Sequence, residues 1–210
     1  MNDLLLRTVT GIVMIGFSLV AALLGGNVFA LFVATGATVL YYEWTKIVRG
    51  WGAGWWVAGF FYALAPALAL LWLRDRADDG IALLMWALIV TWATDIGAYF
   101  AGRKFGRKKL APTISPNKTM EGLYGGVAAA TLLGGGWALA TGISPALIVL
   151  APVLAVLAQA GDLFESWMKR QAGVKDSGNW LPGHGGLLDR LDGLVPVAVL
   201  TAAMNLAGLI

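Results

Sequence analysis

The chain has 210 residues, 59% of them hydrophobic and 13% charged, with ten tryptophans, one histidine, no cysteine and a net charge of +3. A mean hydropathy of +0.74 excludes an ordinary soluble domain and marks an integral membrane protein. The lack of cysteine excludes disulfides, thiolate metal sites and cysteine nucleophiles, and a single histidine excludes zinc sites that need two or more.

Crossing a ~30 Å hydrocarbon layer takes about 20 helical residues, and apolar runs of that order lie near 8–24, 28–43, 53–73, 81–101, 122–141, 144–164 and 194–210. A backbone polar group left unpaired in lipid is costly, and these runs lack the alternation of barrel strands, so each is predicted to be a helix. The expected fold class is all-α, a polytopic membrane bundle of about seven transmembrane helices. The first run passes through only Gly25, Gly26 and Asn27 into the second, with no clean cleavage site, and is read as a retained helix rather than a secretory signal. No repeat or appended soluble domain stands out, so residues 1–210 form one domain, with N-terminal helices over 1–80 and the chemistry-bearing helices and loops over 81–210.

With the N-terminus in the cytoplasm, every lysine and arginine except Arg74 and Arg76 falls on the cytoplasmic side. That positive-inside bias turns both polar blocks, 102–121 and 165–193, toward the cytoplasm. It also accounts for the pI near 9.3 without a nucleic-acid partner, and suits anionic lipid head groups.

Asp95 lies inside the apolar run ALIVTWATDIGAYFAG, where a charge costs roughly 2.5–3.5 kcal/mol on insertion scales. Asp95, Tyr99 and Gly102 are spaced i, i+4, i+7 and share one helix face. Either an interhelical hydrogen bond or a polar cavity would offset the cost. In the basic loop 102–122, positive-inside anchoring explains Lys104 and Lys108. The segment SPNKT adds Ser115, Lys118 and Thr119 just before a helix, the parts of a phosphate cradle, although no G-x4-G-K-[ST] motif exists.

Asp162, Glu165 and Lys169 follow at i, i+3, i+7 and line one stripe at the end of the sixth run, where charges can also simply snorkel into water. Gly178, Gly183, Gly185 and Gly186 surround Pro182 and His184. They suit either close backbone approach to a ligand or a plain interfacial turn, with His184 a site residue of unassigned role. Asp189 and Asp192 in LLDRLDG are i, i+3 and, in a helix, would present two hard oxygen ligands suited to Mg²⁺. They would also suit the dipole at the start of the last span.

Acids for a divalent cation, cations for phosphates and walls open to lipid together suggest phosphoryl or nucleotidyl transfer on a lipid. A transporter coupling ions through Asp95 and Asp162 is the alternative of another class. Against it, the acids cluster toward one face and no inverted repeat is evident.

The run from Ser166 to Asp192, S-x-x-K-R-x4-K-D-x-G-x3-P-x-H-G-G-x-x-D-R-x-D, resembles the signature of the phosphatidate cytidylyltransferase (CDP-diacylglycerol synthase) family. A second block is similar to the same family: Asp95 in TDIGAY, Gly102, Lys109 to Pro112, and Ser115, Pro116, Lys118, Thr119, Glu121 and Gly122. The motifs cover about the C-terminal 120 residues, the first 80 are similar only in being hydrophobic, and the chain looks shorter than many members by one or two N-terminal helices.

The resemblance implies that phosphatidate attacks the α-phosphorus of CTP, giving CDP-diacylglycerol and pyrophosphate with Mg²⁺, and with K⁺ as a second cation. Asp162 and Asp189 match the metal-binding aspartates, with Asp192 close by. Ser115, Lys118, Thr119, Lys169, Arg170, Lys175 and Arg190 match positions assigned to triphosphate or head-group contacts. Asp95, Glu121, Ser166, Asp176, His184, Gly185 and Gly186 complete the implied site. Another lipid phosphate remains open as substrate. The resemblance further implies a homodimer in the inner membrane with its site facing the cytoplasm, and Gly122-x-x-x-Gly126 offers a close helix contact.

Overall fold

The computed structural model describes residues 3–178, 180 and 185–210, with side chains from residue 8 onward. The helices are α1 (Asp3–Leu24), α2 (Gly26–Ile47), α3 (Ala53–Arg74), α4 (Gly80–Phe105), α5 (Met120–Thr141), α6 (Ala146–Gln171), the single turn α7 (Leu188–Leu191) and α8 (Leu194–Leu206). Each predicted apolar run is one of them. Helices α2 to α6 are long and apolar enough to cross a membrane, and Thr8–Leu24 and α8 are shorter apolar helices, so the chain is a multi-pass helical membrane protein. Helices α4 and α6 outrun their apolar stretches to include Arg103 and Lys104, and Lys169 and Arg170. Cations in a last turn complement the helix dipole, which lets the polar residues continue the helix.

The loop expected over 102–122 contains a hairpin instead. Strand β1 (Lys109–Ala111) pairs antiparallel with β2 (Ser115–Thr119), Lys109 opposite Thr119 and Ala111 opposite Ser115. The Ile114 N–H donates to the Ala111 carbonyl at 3.2 Å, closing a turn with Pro112 in its second position, where a fixed φ is favoured. SPNKT is therefore a strand rather than a loop. Its last residue, Thr119, caps α5: the backbone is extended and the hydroxyl accepts from the Gly122 N–H at 3.1 Å.

Helices α4 and α5 meet along a glycine seam. A Cβ at Gly126 would lie 2.7 Å from the Thr94 carbonyl oxygen, and one at Gly122 would lie 3.0 Å from that of Ala98. The Gly122-x-x-x-Gly126 pair thus packs α5 against α4 within the chain. Trp86, Leu147, Leu154 and Val197, all buried, form the core where α4, α6 and α8 meet. A second cluster of Leu40, Trp44, Met168 and Leu188 joins α2, α6 and α7. Because successive spans alternate in direction, the C-terminal ends of α2, α4 and α6 gather with the hairpin and α7 at one end of the bundle.

Candidate active site

A cavity of about 1070 Å³ opens at that end. Asp95, Lys118, Thr119, Gln159, Asp162, Asp189, Arg190 and Asp192 line its polar part, and Ile15, Phe17, Phe29, Phe32 and Val33 of α1 and α2 line its apolar part. Phe17 and Tyr99 line it while remaining 65% and 57% exposed, so the space reaches the lipid-facing surface. Tyr99 and Gly102 share the cavity face with Asp95, as their spacing requires.

Two lysine–carboxylate pairs build the polar part. Lys118 Nζ, delivered by β2, lies 2.6 Å from Asp162 Oδ2 on α6. It also donates to Gln159 Oε1 at 3.1 Å, and Gln159 Nε2 donates to Asp95 Oδ1 at 3.4 Å. Ser166 Oγ donates to the other Asp162 oxygen at 3.3 Å. One chain of contacts therefore ties α4, the hairpin and α6 around the cavity.

The second pair centres on Asp189 of α7. Lys169 bridges Glu165 Oε2 at 3.1 Å and Asp189 Oδ1. Asp189 Oδ2 accepts from the Gly186 N–H at 2.8 Å and from the Ser177 N–H and Oγ–H, each at 3.0 Å. Burial works to raise the Asp189 pKa, but the hydrogen bonds from Lys169, Gly186 and Ser177 favour the charged form and lower it to about 2. Asp192, three residues on, is pushed up to about 7, by burial first and by the charge of Asp162 second, and its Oδ1 accepts from the Gly193 N–H at 2.7 Å. Gly185 sits at φ +77°, and a Cβ there would press on the Asp189 carboxylate, so only glycine serves.

Other expected site residues stand apart from the cavity wall. The Glu121 carboxylate accepts from the N–H groups of Arg107 at 3.0 Å and Lys108 at 3.3 Å, fastening the end of α4 to the start of α5. Ser115 pairs within the hairpin, and Arg170 Nε donates to the Ile114 carbonyl at 3.2 Å, holding the hairpin turn against α6. Lys175 and Asp176 are exposed on the segment after α6. His184 lies outside the described residues.

Two residues escaped the sequence reading. Gln159 precedes Asp162 by three positions on the same face of α6, a spacing that could have found it. Glu43 is a fully buried carboxyl on α2. Its signal was an acid among Tyr42, Trp44 and other apolar neighbours, the same anomaly that singled out Asp95.

Asp162, Asp189 and Asp192 are the cavity's candidates for holding a cation. Among the described residues no three His, Cys, Asp or Glu side chains converge as a cage. Mg²⁺ does not need such a cage, since it commonly takes one or two carboxylates and completes its shell with water and substrate phosphates.

The profile of the cytidylyltransferase family matches residues 49–207, a span that contains every site residue expected from the sequence. A phosphatidate cytidylyltransferase of Brucella suis biovar 1 (strain 1330) is 38% identical over 95% of this chain and 92% of its own. One of Pseudomonas aeruginosa is 40% identical over 80% of this chain and 64% of its own, and one of Bacillus subtilis 46% identical over 57% and 46%. The Brucella alignment runs to 257 positions against 210 residues here, so the relative carries additional residues inside the aligned span. The similarity extends into the first 80 residues, beyond the motifs. The chain belongs to the cytidylyltransferase family.

Proposed function

We propose that the chain transfers CMP from CTP to phosphatidate, releasing CDP-diacylglycerol and pyrophosphate. The observation that carries this is the single cavity that joins a phosphate-suited polar end to an apolar flank reaching the lipid surface. A phosphate monoester ionises a second time near pH ~6, so the lipid phosphate arrives as a competent nucleophile without a protein base. Its oxygen attacks the α-phosphorus, the new P–O bond forms, the bond to the β-phosphate oxygen breaks, and pyrophosphate leaves with the electron pair.

The chain's task is then positioning and charge neutralisation. Lys118 and Arg190, both on the cavity wall, face the incoming phosphates. Lys169 holds Asp189 from outside the wall, and Ser166 steadies Asp162. Asp162, Asp189 and Asp192 would hold Mg²⁺, with K⁺ as a second cation. Bound there, the metal supplies neutralisation of the charge that develops on the phosphates. The working protein is a homodimer in the inner membrane with this end toward the cytoplasm. The cationic residues gathered at this end support the orientation, and the motif resemblance supports the dimer.

Incubating purified protein with labelled CTP, phosphatidate and Mg²⁺ tests the proposal. Labelled CDP-diacylglycerol is expected, and Asp189→Asn, still folded, is expected to lose its formation. No labelled lipid from any lipid phosphate would refute it.

A further inference from the structure

Glu43 lies outside the residues that the family profile matches and outside the cavity wall, yet its carboxylate is fully buried and is held, among the described residues, by two backbone N–H groups and the Ser177 hydroxyl. Oε1 accepts from the Leu187 N–H at 3.0 Å, and Oε2 accepts from the Leu188 N–H at 2.8 Å and lies 2.9 Å from Ser177 Oγ. Leu187 and Leu188 open α7, whose first N–H groups have no partner within that single turn. A side chain of α2 therefore supplies the cap that α7 cannot supply itself. Gly178 and Gly186 pack so closely on this carboxylate that a Cβ at either would collide with it.

The same few atoms hold Asp189. Ser177 gives its N–H to Asp189 and sets its hydroxyl between the two carboxylates, 2.9 Å from Glu43 and 3.0 Å from Asp189. A hydroxyl has one proton to donate, so Ser177 joins the two acids rather than satisfying both at once. Gly186 gives its N–H to Asp189 while its Cα lies against Glu43. Any shift of the backbone at 186–188 relative to α2 would carry Asp189 away from Lys169 and from the cavity.

Resting on the proposed cytidylyl transfer, we infer that Glu43 is a positioning residue for the nucleotide half of the reaction, the contribution of α2 to a polar part of the site otherwise built from α4, the hairpin, α6 and α7. It sets the register of α7, and through it the place of Asp189, without touching substrate. Of the apolar part of the cavity only Leu187 and Leu191 move with α7, while the larger share of that wall comes from α1, α2 and α3. Glu43→Gln keeps the size but replaces one acceptor with an NH₂ group that faces an N–H donor.

The expected result in the full chain is a KM for CTP raised about tenfold or more, with KM for phosphatidate within about twofold of wild type. A loss of folded protein alone would move neither constant. Amide exchange across 185–191 is expected to quicken about tenfold or more while the α4–α5 seam stays unchanged. If Glu43→Gln does not fold, Ser177→Ala is read by the same two measurements, with shifts in the same direction. An unchanged KM for CTP, or unchanged exchange at 185–191, in the variant that folds would overturn the inference. A wild-type chain that makes no CDP-lipid would instead sink the enzymatic reading itself, an outcome separate from a variant that behaves like an active wild type.

Discussion

Lys118 and Asp162 meet at 2.6 Å across the cavity, one from a strand of the hairpin and the other from the C-terminal half of α6. The pair holds the only lysine on the cavity wall among the described residues, beside the like charges of Asp162 and Asp192. Lys118→Met keeps most of the stem and removes the charge. CDP-lipid formation should fall by about 100-fold or more, the scale seen when a donor to developing charge is removed. Initial rates of purified variant and wild type check this, and a rate within about threefold of wild type would remove Lys118 from the machinery.

The apolar flank of the cavity makes a different demand. Gly36 on α2 lines it, and the nearest atom to a Cβ there is Leu187 Cδ2 at 3.9 Å, so a Cβ is accommodated and a larger side chain would take up space in the cavity. Gly36→Leu should raise KM for phosphatidate several-fold and leave KM for CTP within about twofold. Equal rises in both constants would contradict a cavity divided between tails and phosphates.

Stability should follow the glycine seam. Gly126→Val forces a branched side chain onto the Thr94 carbonyl, and overpacking of this kind costs about 1–3 kcal/mol. Gly136, on the same helix with nothing near its Cβ position, accepts alanine and should gain about 0.5–1 kcal/mol from the reduced backbone entropy cost. Thermal unfolding in detergent should therefore lower Tm for the first variant and raise it slightly for the second. A reversed order would place the seam elsewhere.

Treating the purified protein with a chelator should abolish CDP-lipid formation, and adding Mg²⁺ should restore it. Asp189→Asn should not recover at any Mg²⁺ concentration. Full activity in the presence of excess chelator would remove the divalent cation from the proposal.

The seven apolar runs were legible because membrane thickness imposes a length that hydropathy reads directly. Asp95, Asp162, Asp189 and Asp192 were legible because charged groups are rare in such a chain, and all four line one cavity. The hairpin was not. Strands of three and five residues have too little pattern to announce themselves, and Lys109 finds its place only when Thr119 lies opposite. Glu43 was hidden for another reason: it closes an apolar run, and its partners Leu187 and Leu188 offer backbone N–H groups, which no residue type advertises.

The opening beside Phe17 and Tyr99 bears on how the rate of this protein should be expressed. A substrate that enters sideways from the bilayer is never dissolved, and its tails remain in hydrocarbon before and after the head group changes. The quantity that governs turnover is then the mole fraction of phosphatidate in the surrounding leaflet, and diluting it with inert lipid should slow the reaction even when the amount per millilitre is held fixed.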